Sequence, residues 1–177
     1  MSTRRSSLGS LFRPRGTPRE ALRPLWHRIV ATSRDPRWYV AGGVADNVPG
    51  RFDMIVAMLT LVLLRLERAD AAPEHGVHLT ELFVEDMDRQ LRETGVGDLV
   101  VGKHIGRLVA VLGGRLGAYR DALAPGAPPT ALAEAAARNT TLAPGRDATA
   151  LAGLLRDYDV SLERVAVPAI LASELPA

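Results

Sequence analysis

The sequence predicts an all-α fold, organised as a single compact domain of about six helices behind a short basic N-terminal tail. Apolar residues recur every three or four positions along most of the 177-residue chain, which is the spacing of amphipathic helices. No segment shows the strict alternation of apolar and polar residues that is typical of a half-buried strand. The breaks APGAPP and APG supply proline and glycine turn signals between apolar segments. We therefore divide the chain into a tail, residues 1–16, expected to be disordered, and a helical domain, residues 17–177.

The composition excludes several classes of protein and site. With 47% hydrophobic and 24% charged residues, the chain resembles an ordinary soluble domain. The absence of cysteine excludes disulfides, cysteine-ligated zinc and a thiol nucleophile. The longest apolar segment, residues 54–64, is shorter than the 18 or more residues that a membrane-spanning helix needs, so we predict that it is the central core helix.

The tail contains no acidic residue and places Leu8, Leu11 and Phe12 at helical spacing among arginines. Disorder is the favoured interpretation, and a membrane-surface anchor, an organellar presequence and a twin-arginine export signal are the alternatives. Export is least favoured because no apolar region follows the arginine pair. Residues 1–51 hold ten arginines against three acids, so this end of the chain is the one expected to meet an anionic surface.

The first helix is predicted to begin at Thr17, where T-P-R-E provides an N-cap, a proline at the first helical position and a glutamate at the third. Pro24 either kinks this helix or restarts it, and an apolar stripe then continues to about Ser33. The predicted linker DPRWYVAGGVADNVPGR follows. It contains Trp38 and Tyr39, which we expect to pin the linker to the core.

Further helices are predicted at residues 52–69, 78–94, 98–123, 129–139, 147–157 and 160–174. In the helix at 78–94, Asp86 falls on the same face as Phe83 and Met87. A buried carboxylate is costly unless it is paired, so Asp86 belongs either to an internal ion pair or cap, or to a partner-binding surface.

Three other acids of the same helix are expected on a solvated face: Glu81, Glu85 and Asp88.

The octapeptide GDLVVGKH, residues 97–104, fits the first seven positions of a phosphate-binding loop and fails at His104. The preceding segment is helical rather than a strand, and Asp98 would face the phosphates. We therefore predict a turn and a helix start, with Asp98 as the N-cap.

The helix that follows carries glycines on one flank and basic residues on the other. The four glycines are Gly102, Gly106, Gly113 and Gly117. Their two G-x-x-x-G pairs predict a tight approach by another backbone, because otherwise glycine destabilises a helix; a kink at the double glycine 113–114 is the alternative. On the other side, Lys103 and Arg107 form a basic ridge. It is either solvated or contacts an acidic or lipid-headgroup partner.

No pattern in the chain indicates catalysis or cofactor binding. The four histidines form no ligand set, since His75 and His78 lie in a predicted loop and His27 and His104 lie on different helices. The serines match no nucleophile motif. We therefore expect a protein that is not an enzyme and that has no cofactor, metal or small-molecule substrate.

Four motifs carry a resemblance to a known family. They are G-R-F-D-M at 50–54, D-M-D at 86–88, G-V-G-D-L-V-V-G-K at 95–103 and G-R-L-G-A-Y at 114–119. In order and spacing they resemble the ubiquinol-cytochrome c chaperone family, with an N-terminus like that of an alphaproteobacterial member. Where relatives tend to carry an aromatic residue after the A-R-N stretch at 137–139, this chain has Thr140 and Thr141.

The resemblance implies a non-enzymatic assembly chaperone that binds newly made cytochrome b and assists assembly of the ubiquinol-cytochrome c reductase complex, respiratory complex III. It implies a small assembly partner and the ribosome as further contacts. We expect a cytoplasmic protein, peripheral on the inner membrane, that meets its anionic surface. The candidate partner-binding residues are Arg51, Asp53, Asp86, Asp88 and Lys103, which match family motif positions, together with Arg107 of the basic ridge.

Two other functions stay open at this point. A basic helical module could bind ribosomal RNA or other nucleic acid through its Arg-rich N-terminus, and this binding would weaken steeply with salt. A haem-handling protein would need His27 or His104 as a ligand.

Overall fold

Helices account for almost all of the regular structure in the computed structural model, which describes residues 17–93 and 101–177, without the side chains of residues 91 and 101–104. The helices in these ranges are α1 (Pro18–Ala21), α2 (Arg23–Ser33), α3 (Pro36–Val40), α4 (Val48–Arg68), α5 (Pro73–Glu93), α6 (Val101–Leu123), α7 (Ala131–Asn139), α8 (Thr149–Glu163) and α9 (Val167–Leu171). Six of them have nine residues or more, and the described ranges hold no strand beyond one isolated bridge between Val44 and Leu142. The predicted all-α class is confirmed.

The start of the domain follows its local sequence signals. The side chain of Thr17 accepts a hydrogen bond from the backbone N–H of Glu20, as an N-cap does. Pro24 lies in the first turn of α2, so of the two alternatives the restart is correct. The predicted linker contains the short helix α3, which the sequence did not predict. Its aromatic residues pin it as expected, because the Trp38 indole N–H donates to the carbonyl of Thr32 at 2.8 Å and the Tyr39 hydroxyl to that of Ser33 at 2.9 Å.

Three predicted boundaries were wrong. α4 begins at Val48, with Asn47 as its N-cap, rather than at 52, so the end of the predicted linker is helical. α5 begins at Pro73 rather than at 78, so His75 and His78 lie on a helix and not in a loop. Proline is favoured at the first helical position, which accounts for the early start. The break between the last two helices lies at 164–166 rather than near 158, because Tyr158 and Leu162 continue the buried stripe of α8.

The core is built around α4. Every residue from 53 to 66 is buried, which confirms the prediction of a central helix at 54–64. Helices α2, α5, α6 and α8 all contact α4, and α7 links α6 to α8, so the described helices form one compact domain. Within the described ranges, no helix combines the length and the apolar composition needed to cross a membrane.

Candidate partner-binding site

The amino end of α4 is a closed polar network centred on Asp53. Its carboxylate accepts hydrogen bonds from the guanidinium of Arg115 on α6, and from the backbone N–H and the hydroxyl of Thr141 at 2.8 Å and 2.7 Å. Arg115 also donates to the backbone carbonyl of Asp53 at 3.1 Å. Asp53 and Arg115 are 9% and 6% exposed, respectively. Because both charges are paired and bonded inside the protein, the network holds α4, α6 and the segment after α7 together.

The other residues of G-R-F-D-M serve the same junction. A Cβ at Gly50 would lie 2.0 Å from the carbonyl oxygen of Ala45, so only glycine fits there. Arg51 is exposed and donates to Asp46 at 2.7 Å. The ring of Phe52 lies 6.3 Å from that of Phe83 and under the Arg115 guanidinium at 5.9 Å. The motif that carries the family resemblance is therefore largely a packing motif.

Asp86 belongs to a second internal contact, between α2 and α5. Its carboxylate accepts from the indole N–H of Trp26 at 3.3 Å, from the amide of Gln90 at 3.3 Å and from Arg89. Arg89 is 63% exposed and lies on the same helix, so the pair is not the internal one expected as one alternative, and the inward contact of Asp86 is the one to Trp26. Trp26 is 1% exposed, so Asp86 provides the hydrogen-bond acceptor for a buried indole N–H.

The six predicted site residues do not converge on one surface. Asp53 and Asp86 face the interior, Asp88 bonds Arg92 at 2.8 Å on α5, and Arg107 is exposed on α6. The remaining two are Arg51, in the first turn of α4, and Lys103, whose backbone lies in α6 and whose side chain is outside the described residues. A partner-binding role for these residues stays a prediction.

The glycine flank of α6 does not pack tightly against another backbone. A Cβ at Gly106, Gly113 or Gly117 would meet no atom of the described residues within 4 Å, so the close approach expected at these three positions is not found in the part of the chain that the structure describes. The helix also continues unbroken through Gly113 and Gly114. The glycine pattern correctly identified residues that share one flank, but the neighbouring helices lie elsewhere. Gly102 and the predicted cap at Asp98 lie outside what the structure describes there.

An open groove lies at the opposite end of α4, between its carboxyl end, the amino half of α5 and the middle of α6. Its volume is about 550 Å³, within the range of pockets that bind ligands. The residues that line it are Leu63, Leu66, Glu67, Asp70, Ala71, Ala72, Pro73, Gly76, Val77, Thr80, Glu81 and Leu116. The lining is mainly apolar and, among the described residues, contains no lysine or arginine; its Val77 is 55% exposed. We refer to it as the α4–α5–α6 groove.

The rim of the groove is acidic. Glu67 accepts two hydrogen bonds from Arg120, at 2.9 Å and 2.7 Å, and these bonds lower the pKa of Glu67. Glu81 contacts the imidazole Nδ1 of His78 at 3.3 Å. Asp70, with φ of +52°, makes no ion pair among the described residues. The rim therefore favours a cationic ligand over an anionic one.

An acidic stripe leads away from this rim along the outer face of α5. It consists of Glu74, Glu81 and Glu85, which are exposed and spaced by seven and four residues. Glu85 is exposed, as predicted, and on this face Arg19 and Arg23 pair with it at 3.0 Å and 3.1 Å. The α5 acidic stripe thus already holds cationic side chains from another element.

Sequence reasoning missed the groove. Its lining comes from three helices and a connection, and no motif spans those segments. The exposed Val77 was one available signal, since it lies in the acidic helix without belonging to the apolar stripe of Leu79 and Phe83. Among the described residues, no group of three or more histidine or acidic side chains is arranged to hold a metal ion.

Comparisons with known proteins agree with the helical fold and indicate a family. A family model described as ubiquinol-cytochrome c chaperone matches residues 40–177. Among solved structures, the crystal structure of the Cbp3 homolog from Brucella abortus superposes with a TM-score of 0.73 at 28% sequence identity. The match covers 88% of this chain and 87% of that one. A comparison with curated proteins gave no significant match.

Proposed function

The chain belongs to the ubiquinol-cytochrome c chaperone family, and on that premise we propose that it binds newly made cytochrome b and assists assembly of the ubiquinol-cytochrome c reductase complex. The role is binding rather than catalysis. The observation that supports it best is the α4–α5–α6 groove, an open apolar surface with an acidic rim on a member of a chaperone family.

The chemistry of the groove suits such a client. A membrane protein before assembly exposes apolar helices, and its cytoplasmic loops carry an excess of lysine and arginine. Apolar side chains would occupy the floor around Val77, and basic residues would meet Glu81 and Asp70. We place the protein on the cytoplasmic face of the inner membrane, as a peripheral protein, where this client is made. The ribosome and a small assembly partner belong to the same proposal.

The alternative of nucleic-acid binding receives less support from the described residues. Arg19 and Arg23, the first cations of the described basic end, pair with Glu20 and Glu85 rather than forming an open basic surface.

The test is the haem b and cytochrome b content of membranes from cells that lack the gene, compared with cells in which it is restored on a plasmid. We expect loss of cytochrome b with other membrane cytochromes intact. Normal cytochrome b in the deletion strain would overturn the proposal.

A matched pair of restoring plasmids then tests the groove. Val77→Asn places an amide in the groove, whereas Val160→Asn changes a valine of similar exposure, 47%, on α8. Valine and asparagine have similar helix propensities, so neither change should shift stability by more than about 0.5 kcal/mol. We expect only Val77→Asn to restore less cytochrome b. Equal restoration would place the client elsewhere and leave the chaperone function standing.

A further inference from the structure

The N-terminal part of the described chain already lies against α5. Arg19 of α1 reaches the Glu85 carboxylate at 3.0 Å, and Arg23 reaches it at 3.1 Å while also binding Glu20 at 2.8 Å. This contact joins the basic end of the chain to the α5 acidic stripe. The tail, residues 1–16, is attached directly to that contact through Thr17.

The direction of the chain leads the tail towards the groove. Trp26 of α2 bonds Asp86, whereas Arg34, two turns later, lines a cleft together with Glu93. The two helices therefore run in the same direction. The chain before α2 accordingly approaches the amino half of α5. The groove opens on another face of that half, and the α5 acidic stripe lies between it and the face that meets α2.

The distances are compatible with contact. Glu85 and Val77 are eight residues apart on α5, which is about 12 Å along the axis and about 80° around it. Phe12 precedes Thr17 by five residues, so an extended segment between them spans up to about 17 Å. The apolar residues of the tail can therefore reach the groove while Arg19 stays on Glu85.

The chemistry of the tail is complementary to that of the groove. Residues 1–16 contain four arginines and no acid, and Leu8, Leu11 and Phe12 are spaced as on one face of a helix. The groove offers an apolar floor at Leu63, Val77 and Leu116, and on its rim the carboxylate of Asp70, which has no ion pair within residues 17–93 and 101–177. An apolar segment with flanking cations matches both features.

We propose that residues 1–16 dock in the α4–α5–α6 groove of their own chain, with Leu11 and Phe12 on its floor and the arginines along the α5 acidic stripe. The occupant is the chain's own tail, which covers the groove until a client displaces it. This competition with the client rests on the proposed function, whereas the docking itself does not. Tethering raises the effective concentration of the tail to the millimolar range, so weak contacts suffice to occupy the groove.

The test uses the full-length protein and the absence of native cysteine. Ser10→Cys marks the tail without removing its apolar residues. It is combined with Ala72→Cys in the groove or, as the control, with Ala150→Cys, an exposed alanine on α8. Both double variants are oxidised at low protein concentration, and the intramolecular disulfide is followed by mass spectrometry.

We expect the groove pair to form its disulfide at least about tenfold faster than the control pair, because of the higher local concentration. Neutralising the rim with Asp70→Asn and Glu81→Gln should remove most of this difference; asparagine tolerates the positive φ at position 70. The matched change of two exposed acids elsewhere, Glu134→Gln and Asp157→Asn, should leave it unchanged.

Equal rates for the two pairs would overturn the proposal, and so would disulfides formed mainly between two molecules, which would assign the groove to a second copy. If the rates are equal and the tail sediments with anionic vesicles at low salt, the tail is a membrane anchor instead. No client is present in the experiment. Equal disulfide rates would therefore not contradict the proposed chaperone function. Normal cytochrome b in the deletion strain would likewise not contradict the docking of the tail.

Discussion

The two ends of α4 differ in how they treat their polar groups. At the amino end, Asp53 and Arg115 are buried, and each charge is bonded within the protein. At the carboxyl end, Asp70 has no ionic partner among the described residues and Val77 is half exposed beside an apolar floor. The first arrangement fixes the relative positions of three elements. The second leaves a carboxylate and an apolar side chain accessible for contact with another segment or molecule. The recognisable motif at the amino end therefore serves packing, and the docking surface that we propose lies at the carboxyl end, where no motif marks it.

The largest expected effect comes from breaking the closed end. Asp53→Ala leaves the buried Arg115 cation without its partner, which should lower the free energy of unfolding by about 3–5 kcal/mol. Urea denaturation followed by circular dichroism measures it. The control is Asp46→Ala, which removes the partner of Arg51 in an exposed, solvent-screened pair at the same end of α4 and should lower stability far less. Similar losses for the two variants would contradict the structural role of the network.

A smaller effect is expected from filling space at the same junction. Gly50→Ala forces a methyl group against the Ala45 carbonyl and should destabilise the protein by about 1–3 kcal/mol. Gly113→Ala in α6 is the matched control, because its methyl group meets open space and alanine is the better helix former. It should stabilise the protein by about 0.5–1 kcal/mol. The melting temperatures of both variants, measured by thermal denaturation, test this difference. A stabilising Gly50→Ala would contradict the close contact with the Ala45 carbonyl.

Asp86 is intermediate between the two ends, since it is bonded internally and is 15% exposed at its side chain. Asp86→Ala removes the acceptor of the buried Trp26 N–H and should lower stability by about 1 kcal/mol. Asp88→Ala, which breaks only a pair within α5, should cost about 0.5 kcal/mol or less. Client binding measured on the same variants sharpens the comparison. A lowered melting temperature with intact binding makes Asp86 structural, and lost binding with unchanged stability would make it a contact residue.

Much of the fold was predictable because its signals are local. The Thr17 cap, the restart at Pro24 and the buried run at 54–64 each depend on residues close together in sequence. Five-residue α3 was missed because so short a helix shows no full apolar period. The late start assigned to α5 reflects the same limit, since its first turn contains no buried apolar residue.

The site was less predictable because it depends on contacts between distant segments. Asp53 is matched by Thr141, 88 residues away, and Glu85 by Arg23, 62 residues away. Helical spacing shows which residues share a face, but not what that face meets. The open flank at Gly113 was therefore mistaken for a packing surface, and the groove was not foreseen at all.

The bond from Thr141 to Asp53 also orders events during synthesis. Closing a loop of this length carries an entropic cost that must be met before the contact contributes stability, so contacts of this kind form late in folding. Translation delivers Asp53 first, and its carboxylate lacks both Thr141 donors until that residue has left the ribosome. The network around Asp53 therefore stays incomplete while 88 of the 177 residues are added, which is about half of the synthesis. The protein proposed to bind another unfinished chain thus completes its own polar network late in its synthesis.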